Sequence, residues 1–184
     1  QLTSAAVFTE LKNQHKLALD QTLALLPKLG QEFGRHFGRS YSLVEAEGCD
    51  GADVVLVSLG SAAGTAREVG AELTAAGERV GTLKVTSFRP FPKEAVRAAL
   101  QGARRVAVID RSWGLGSEGP LALEVKAALY GLPERPPVYD FVAGLGGRDL
   151  SAATIQKIVA TCRKLADAGA PELGPIWIDL GEVE

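Results

Sequence analysis

Four apolar runs decide what this chain can become: ADVVLVSLG (52–60), ERVGTLKVTSF (78–88), RRVAVID (104–110) and PVYDFVAG (137–144). The first is apolar at consecutive rather than alternate positions, the pattern of a strand covered on both faces of a parallel sheet. Helical stretches at 63–76, 92–101, 120–132 and 151–168 separate and follow the runs. Strands alternating with helices in this way predict βαβ units, right-handed crossovers and a sheet with helices on both sides. YSLVEAE (41–47) adds a short strand, and PIWIDL (175–180) reads either as a last strand or as an extended tail. Pro92 and Pro120 stand where first helical residues fall, because proline loses nothing at that position. Ser151 suits an N-cap. No internal repeat and no low-complexity segment interrupts the series.

Ahead of this α/β pattern, residues 3–38 read as helical. Leu19, Leu23, Leu26, Leu29, Phe33 and Phe37 follow one another at intervals of four or three, which is one face of a helix. Pro27 predicts a kink or a restart within it. Val7, Phe8 and Leu11 carry a weaker stripe, suited to a linker or arm. The expected organisation is therefore a helical arm over 1–38 and an α/β domain over 39–184.

Composition narrows the function. With 184 residues the chain can bury a real core. A net charge of −2 argues against a broad nucleic-acid or anionic-membrane surface. No apolar run approaches the roughly 18–20 residues that span a bilayer, and the N-terminus lacks the pattern of a signal peptide. The two cysteines, Cys49 and Cys162, form no CxxC pair and are too few for an iron–sulfur cluster. They read as inert thiols of a reducing cytoplasm. The two histidines, His15 and His36, lie in or near the N-terminal helical stretch, and no Ser/His/Asp set or paired-carboxylate signature appears. The chain contains no methionine, which fits a removed start or, as the favoured reading, a piece of a longer polypeptide.

Three glycine-rich loops leave carboxyl ends of strands: SLGSAAGT (58–65), DRSWGLGSEGP (110–120) and AGLGGRDLS (143–151). In an open parallel sheet, ligands bind beyond these ends, where the winding reverses. Backbone N–H groups at a helix start there can meet an anion. The first loop lacks the lysine of a P-loop, and Gly60, Gly64 and Thr65 suffice for a tight turn, with Ser61 beside them. In the second, Asp110 and Arg111 read as a structural ion pair or an interface contact. Trp113, among Gly114 and Gly116, reads as a half-exposed partner contact. In the third, Arg148 offers a bidentate donor to a carboxylate or phosphate. These ten residues are the candidate interface or anion contacts, with packing beside a neighbouring domain preferred over phosphate binding. No catalytic, cofactor-binding or metal-ligating residue is expected.

The segments EFGRHFGRSYSLVE, ADVVLVSLGSAAGTAREV, GERVGTLKVTSFRPFP, RRVAVIDRSWGLGSEGPLALEVKAALYG and PPVYDFVAGLGGRDLS lie in collinear order over about residues 30–155. Together they resemble core domain II, the transketolase C-terminal-like region, of the alpha subunit of pyruvate (2-oxoacid):ferredoxin oxidoreductases. RPFP, DRSWGLGSEGPL and AGLGGRD are the most specific pieces. The 110–120 loop departs from the commoner family form, D-R-x-x-S-F-G-x-G-G. The resemblance implies a three-layer α/β/α fold with a five-stranded, mostly parallel mixed sheet. Its implied order is 1-3-2-4-5 with the first strand antiparallel, which sets the 58–65 and 110–120 loops side by side.

The resemblance also implies a reaction for the whole complex. A 2-oxoacid such as pyruvate is decarboxylated on thiamine diphosphate with magnesium. Electrons pass through [4Fe–4S] clusters to ferredoxin, and coenzyme A takes the acyl group. The implied partners are a preceding thiamine pyrimidine domain and beta, gamma and delta subunits or their fused equivalents. None of the cofactor motifs maps onto this chain, so its expected role is architectural. Two rivals stand beside this reading. One is a free-standing module binding an anion in a pocket of Ser61, Thr65 and Arg111. The other is the equivalent domain of a transketolase or a 2-oxoacid dehydrogenase, against which RPFP and AGLGGRD speak.

Overall fold

The computed structural model describes residues 4–181. The N-terminal stretch is one helix, α1 (Ala5–Phe37). The α/β region follows as β1 (Val44–Glu47), β2 (Val54–Leu59), α2 (Ala62–Ala75), β3 (Val80–Val85), α3 (Lys93–Leu100) and β4 (Val106–Asp110). It closes with α4 (Pro120–Leu129), β5 (Val138–Val142), α5 (Ala152–Asp167) and the two-residue β6 (Ile176–Trp177). The sheet order is β1-β3-β2-β4-β5-β6. β1 runs antiparallel to β3, and every other pairing is parallel.

The expected order thus holds, with one strand more than the five expected. The extra strand comes from PIWIDL, where Ile176 and Trp177 pair with Phe141 and Val142. A two-residue edge strand has too little alternation to separate it from an extended tail by pattern alone. β1 begins at Val44 rather than residue 41.

Strand periodicity divides the core into two halves. Val55 and Val57 of β2 face α3 and α4, packing with Val96, Leu100, Leu121, Val125 and Leu129. Val54 and Leu56 face α2 and α5, packing with Ala66, Val69, Ile155, Ile158 and Cys162. Both faces are covered, which is why the β2 sequence is apolar at consecutive positions. Cys49 and Cys162 are buried and unbonded, one in each half of the core. Burial pushes the Cys162 thiol up to about 12, so it stays protonated.

Helix starts agree with their sequence signals, with one shift. Pro120 opens α4, and the Ser151 hydroxyl accepts from the Thr154 amide at 3.2 Å. Pro92 sits one residue earlier than expected, at the N-cap of α3.

The largest departure is in α1. Helix runs through Pro27 without a break, so no restart occurs there. Gly30, the buried residue of α1, lies against the following segment: a Cβ there would stand 1.8 Å from the Tyr41 carbonyl oxygen. Around it Leu23, Leu26 and Phe33 are half-buried, whereas Leu19, Leu29 and Phe37 of the expected stripe are exposed. The first half of α1, with Val7, Phe8 and Leu11, is exposed throughout, as are His15 and His36.

Candidate functional site

Sheet order fixes where a site can form. β2 lies between β3 and β4, so the chain leaves β2 in opposite directions to reach its two neighbours. The carboxyl ends of β2 and β4 flank that reversal, the place where an open sheet leaves a crevice. Gly60, at φ +57°, turns the chain out of β2 into α2. Arg111 follows directly on β4. Its guanidinium donates to Ser61 Oγ at 3.0 Å, and to the Gly144 carbonyl at 3.3 and 3.4 Å. One side chain therefore ties together all three glycine-rich loops.

Beside this tie lies a cavity of about 180 Å³, lined by Ser61, Ala62, Thr65, Arg111, Arg148 and the 147–150 segment. Ser61 occupies the N-cap position of α2 but makes no capping hydrogen bond. Arg148 donates to the main-chain carbonyl of Asp179. The Asp179 carboxylate is itself occupied by Lys157 and Thr154, at 2.9 and 2.7 Å, and these partners hold it below the usual carboxylate range.

The other sequence candidates lie apart from the cavity. Gly64 sits in the first turn of α2, and Gly114 and Gly116 lie in the loop after β4. Trp113 is half-exposed, as expected. It rests edge-on against Trp177 with ring centroids 5.6 Å apart, and its indole N–H donates to the Ser117 carbonyl at 2.8 Å. Leu115, beside it, is 89% exposed.

Asp110 and Arg111 do not form the expected ion pair. A residue at a strand end and its successor point to opposite sides. Arg111 turns outward while Asp110 turns inward, where it is 2% exposed. There it accepts from the Leu121 and Ala122 amides at 3.3 and 3.0 Å, holding the first turn of α4.

Asp140 of β5 shares this burial. It is paired in register with Val108, two positions back from Asp110 on β4, so both carboxylates face the same side. Its Oδ2 accepts from the Gly119 amide at 2.7 Å. Gly119 has to be glycine, because a Cβ would stand 2.2 Å from Asp110 Oδ2. Burial raises both acids. Asp110 is partly restrained by the α4 amides. Asp140 is pushed up to about 6 by burial and by the nearby negative charges of Asp110 and Glu118, against the pull of the Gly119 amide. Asp140 Oδ1 is buried without a hydrogen-bond partner, in keeping with burial as the main cause of the upward shift.

Sequence reasoning found no paired carboxylates because these two stand 30 positions apart, and only the β4–β5 register joins them. The available signal was an aspartate inside each of two apolar strand runs, VAVID and VYDFV. A buried acid demands a donor. Here the donors are main-chain amides, so the pair serves the fold.

An α/β/α domain with a mixed, mostly parallel sheet and a crevice where the winding reverses is the class that these features define. Residues 52–155 match the family described as pyruvate:ferredoxin oxidoreductase core domain II, and the chain belongs to that family. It is 34% identical over 180 residues to ketoisovalerate oxidoreductase subunit VorA of Pyrococcus horikoshii, covering 97% of this chain and 46% of that one. It is 36% identical over 180 residues to pyruvate synthase subunit PorA of Methanothermobacter thermautotrophicus, covering 98% and 44%. Against PorA of Thermotoga maritima it is 41% identical over 150 residues, covering 82% and 38%. The chain thus spans less than half the length of these relatives. Among solved structures, it is similar to 2-oxoglutarate:ferredoxin oxidoreductase from Magnetococcus marinus, with 2-oxoglutarate, coenzyme A and succinyl-CoA bound. That match has a TM-score of 0.52 and 26% identity, and it covers 71% of this chain and 21% of that one. Among the described residues, no helix is long and apolar enough to cross a membrane.

Proposed function

We propose that this chain is the core-domain-II part of a 2-oxoacid:ferredoxin oxidoreductase of the pyruvate synthase type. The whole assembly converts a 2-oxoacid and coenzyme A to acyl-CoA and carbon dioxide, and ferredoxin accepts the electrons. The observation that carries this reading is the family match over 52–155, set within relatives named as subunits of such enzymes.

The chain's own contribution is architectural. Its paired acids, Asp110 and Asp140, are turned inward onto the amides of α4 and do not fit a diphosphate-bound magnesium. Its cysteines lie in opposite halves of the core and do not fit a thiolate-held cluster. No step of the reaction is assigned to this chain's residues. Thiamine diphosphate, magnesium, iron–sulfur clusters and coenzyme A belong to the other domains and subunits.

Residues 1–38 act as an arm and 39–184 as the domain it carries. Val7, Phe8, Leu11, Leu17 and Leu25 lie exposed along α1, and the preceding thiamine domain covers them. Trp113 and Leu115 make a second contact surface, toward another subunit. Two free, buried thiols suit a reducing cytoplasm.

The test is to purify the native assembly through a tag on this chain. Reduction of a viologen dye that depends on both 2-oxoacid and coenzyme A is expected to co-purify with it. A chain that comes out alone, with no such activity in its fraction, would refute the reading.

A further inference from the structure

The two guanidinium groups at the crevice have a property that most other arginines of the chain lack. Arg67, Arg89, Arg97, Arg104, Arg105, Arg135 and Arg163 each meet at least one carboxylate within 3.9 Å. Arg111 instead meets neutral oxygens, those of Ser61 and Gly144, and Arg148 meets the main-chain oxygen of Asp179. Both line one cavity of about 180 Å³, where the lining carboxylate is Asp149, exposed at the rim. The Asp179 carboxylate also feels Arg148, but it is already bonded to Lys157 and Thr154, so the two guanidinium groups have no carboxylate bonded to them in the cavity.

The rest of the lining adds donors. Ser61 Oγ accepts from Arg111, which leaves its hydroxyl proton to donate into the cavity. Thr65, one turn further along α2, supplies a second hydroxyl. Ser61 makes no side-chain cap on α2; the Ala63 and Gly64 amides donate to the Gly60 and Ser61 carbonyls, so the start of this 14-residue helix contributes its positive dipole end rather than a row of free amides. The cavity is well below the roughly 300 Å³ at which sites for whole cofactors begin, and it suits a single tetrahedral anion. Its position is the switch-point crevice of the sheet.

We propose that this crevice is an oxyanion site that takes a phosphate group, held by Arg111 and Arg148 with Ser61, Thr65 and the start of α2. The ligand is either the free ion or the phosphoryl end of a larger molecule whose remainder lies outside the cavity. The site goes beyond the architectural role and does not depend on it. A chain that bound phosphate and lacked oxidoreductase partners would overturn that role alone.

The test is a calorimetric titration of the full chain with inorganic phosphate, at ionic strength held constant with sodium chloride. Saturable one-to-one binding is expected, weakened roughly tenfold in Arg111→Gln and in Arg148→Gln and unchanged in Arg67→Gln. A phosphomonoester titrated in parallel identifies the source: equal affinity assigns the free ion, and tighter binding assigns a phosphoryl end. Amide shifts of Ala62–Thr65 in the wild-type chain give a second readout that needs no variant. Absence of saturable binding, equal affinity in all three variants, or phosphate-induced shifts that bypass α2 would overturn the proposal.

Discussion

The two ends of the sheet treat arginine in opposite ways. At the amino ends of the strands, Asp53 sits among Arg104, Arg105 and Arg163, at 3.9, 3.3 and 2.8 Å. Asp167 and Glu78 complete the group. Arg105 is 3% exposed, and a charge so buried survives only with its partners in place. At the carboxyl ends, Arg111 and Arg148 are exposed and held by neutral oxygens. One end spends its charges on closing the fold. The other keeps its charges facing outward, at the point where the topology opens a crevice.

The sharpest way to break this contrast is to remove the hub of the closed end. Asp53→Ala is expected to cost about 3 kcal/mol, because it removes the carboxylate shared by Arg105 and Arg163 and leaves buried Arg105 with Asp167 as its one carboxylate partner. Urea unfolding monitored by circular dichroism measures it, and a loss below about 1 kcal/mol would place the network among ordinary surface pairs.

The next effect in size is a pH dependence from Asp140. Its folded value, about 6, lies above its ordinary one of 3.8. The folded state therefore holds a proton that the unfolded state releases. The contribution is fully present below about pH 4 and is lost as pH rises through about 6, amounting to at most about 3 kcal/mol. Asp110 shifts in the same direction. Denaturation midpoints between pH 4 and 7 should flatten in Asp140→Asn relative to wild type. An unchanged slope in that variant would remove Asp140 as the cause.

Smaller again is Asp110→Ala, which leaves two amides of α4 without acceptors, for about 2 kcal/mol. Asp110→Asn should recover part of that loss, because it keeps an acceptor oxygen. The smallest stability change is expected at the open end, where Arg111→Gln should cost about 1 kcal/mol, the loss of hydrogen bonds to Ser61 and the Gly144 carbonyl without a stranded charge.

Much of this was legible in the sequence, for identifiable reasons. Consecutive apolar residues in ADVVLVSLG announced a strand covered on both sides, and Val54–Val57 are all buried. Proline and serine marked helix starts because their preference is local chemistry. The loops named in advance do meet at the strand ends, through Arg111, Ser61 and Gly144. What stayed hidden depends on long-range register or packing. Asp140 joins Asp110 through the β4–β5 pairing alone. Arg111 and Asp110 looked like partners because they are adjacent, yet adjacency at a strand end sends side chains apart. Helix α1 runs through Pro27 where a break was expected, and half of its apolar stripe faces outward.

The most direct measurement is amide hydrogen exchange of the full chain, with and without inorganic phosphate at constant ionic strength. The account predicts slower exchange in the first turn of α2 and in the 144–150 segment, with residues 53–54 and 104–106 unchanged. Exchange that phosphate leaves unaltered at the crevice, or alters equally at both ends of the sheet, would contradict it.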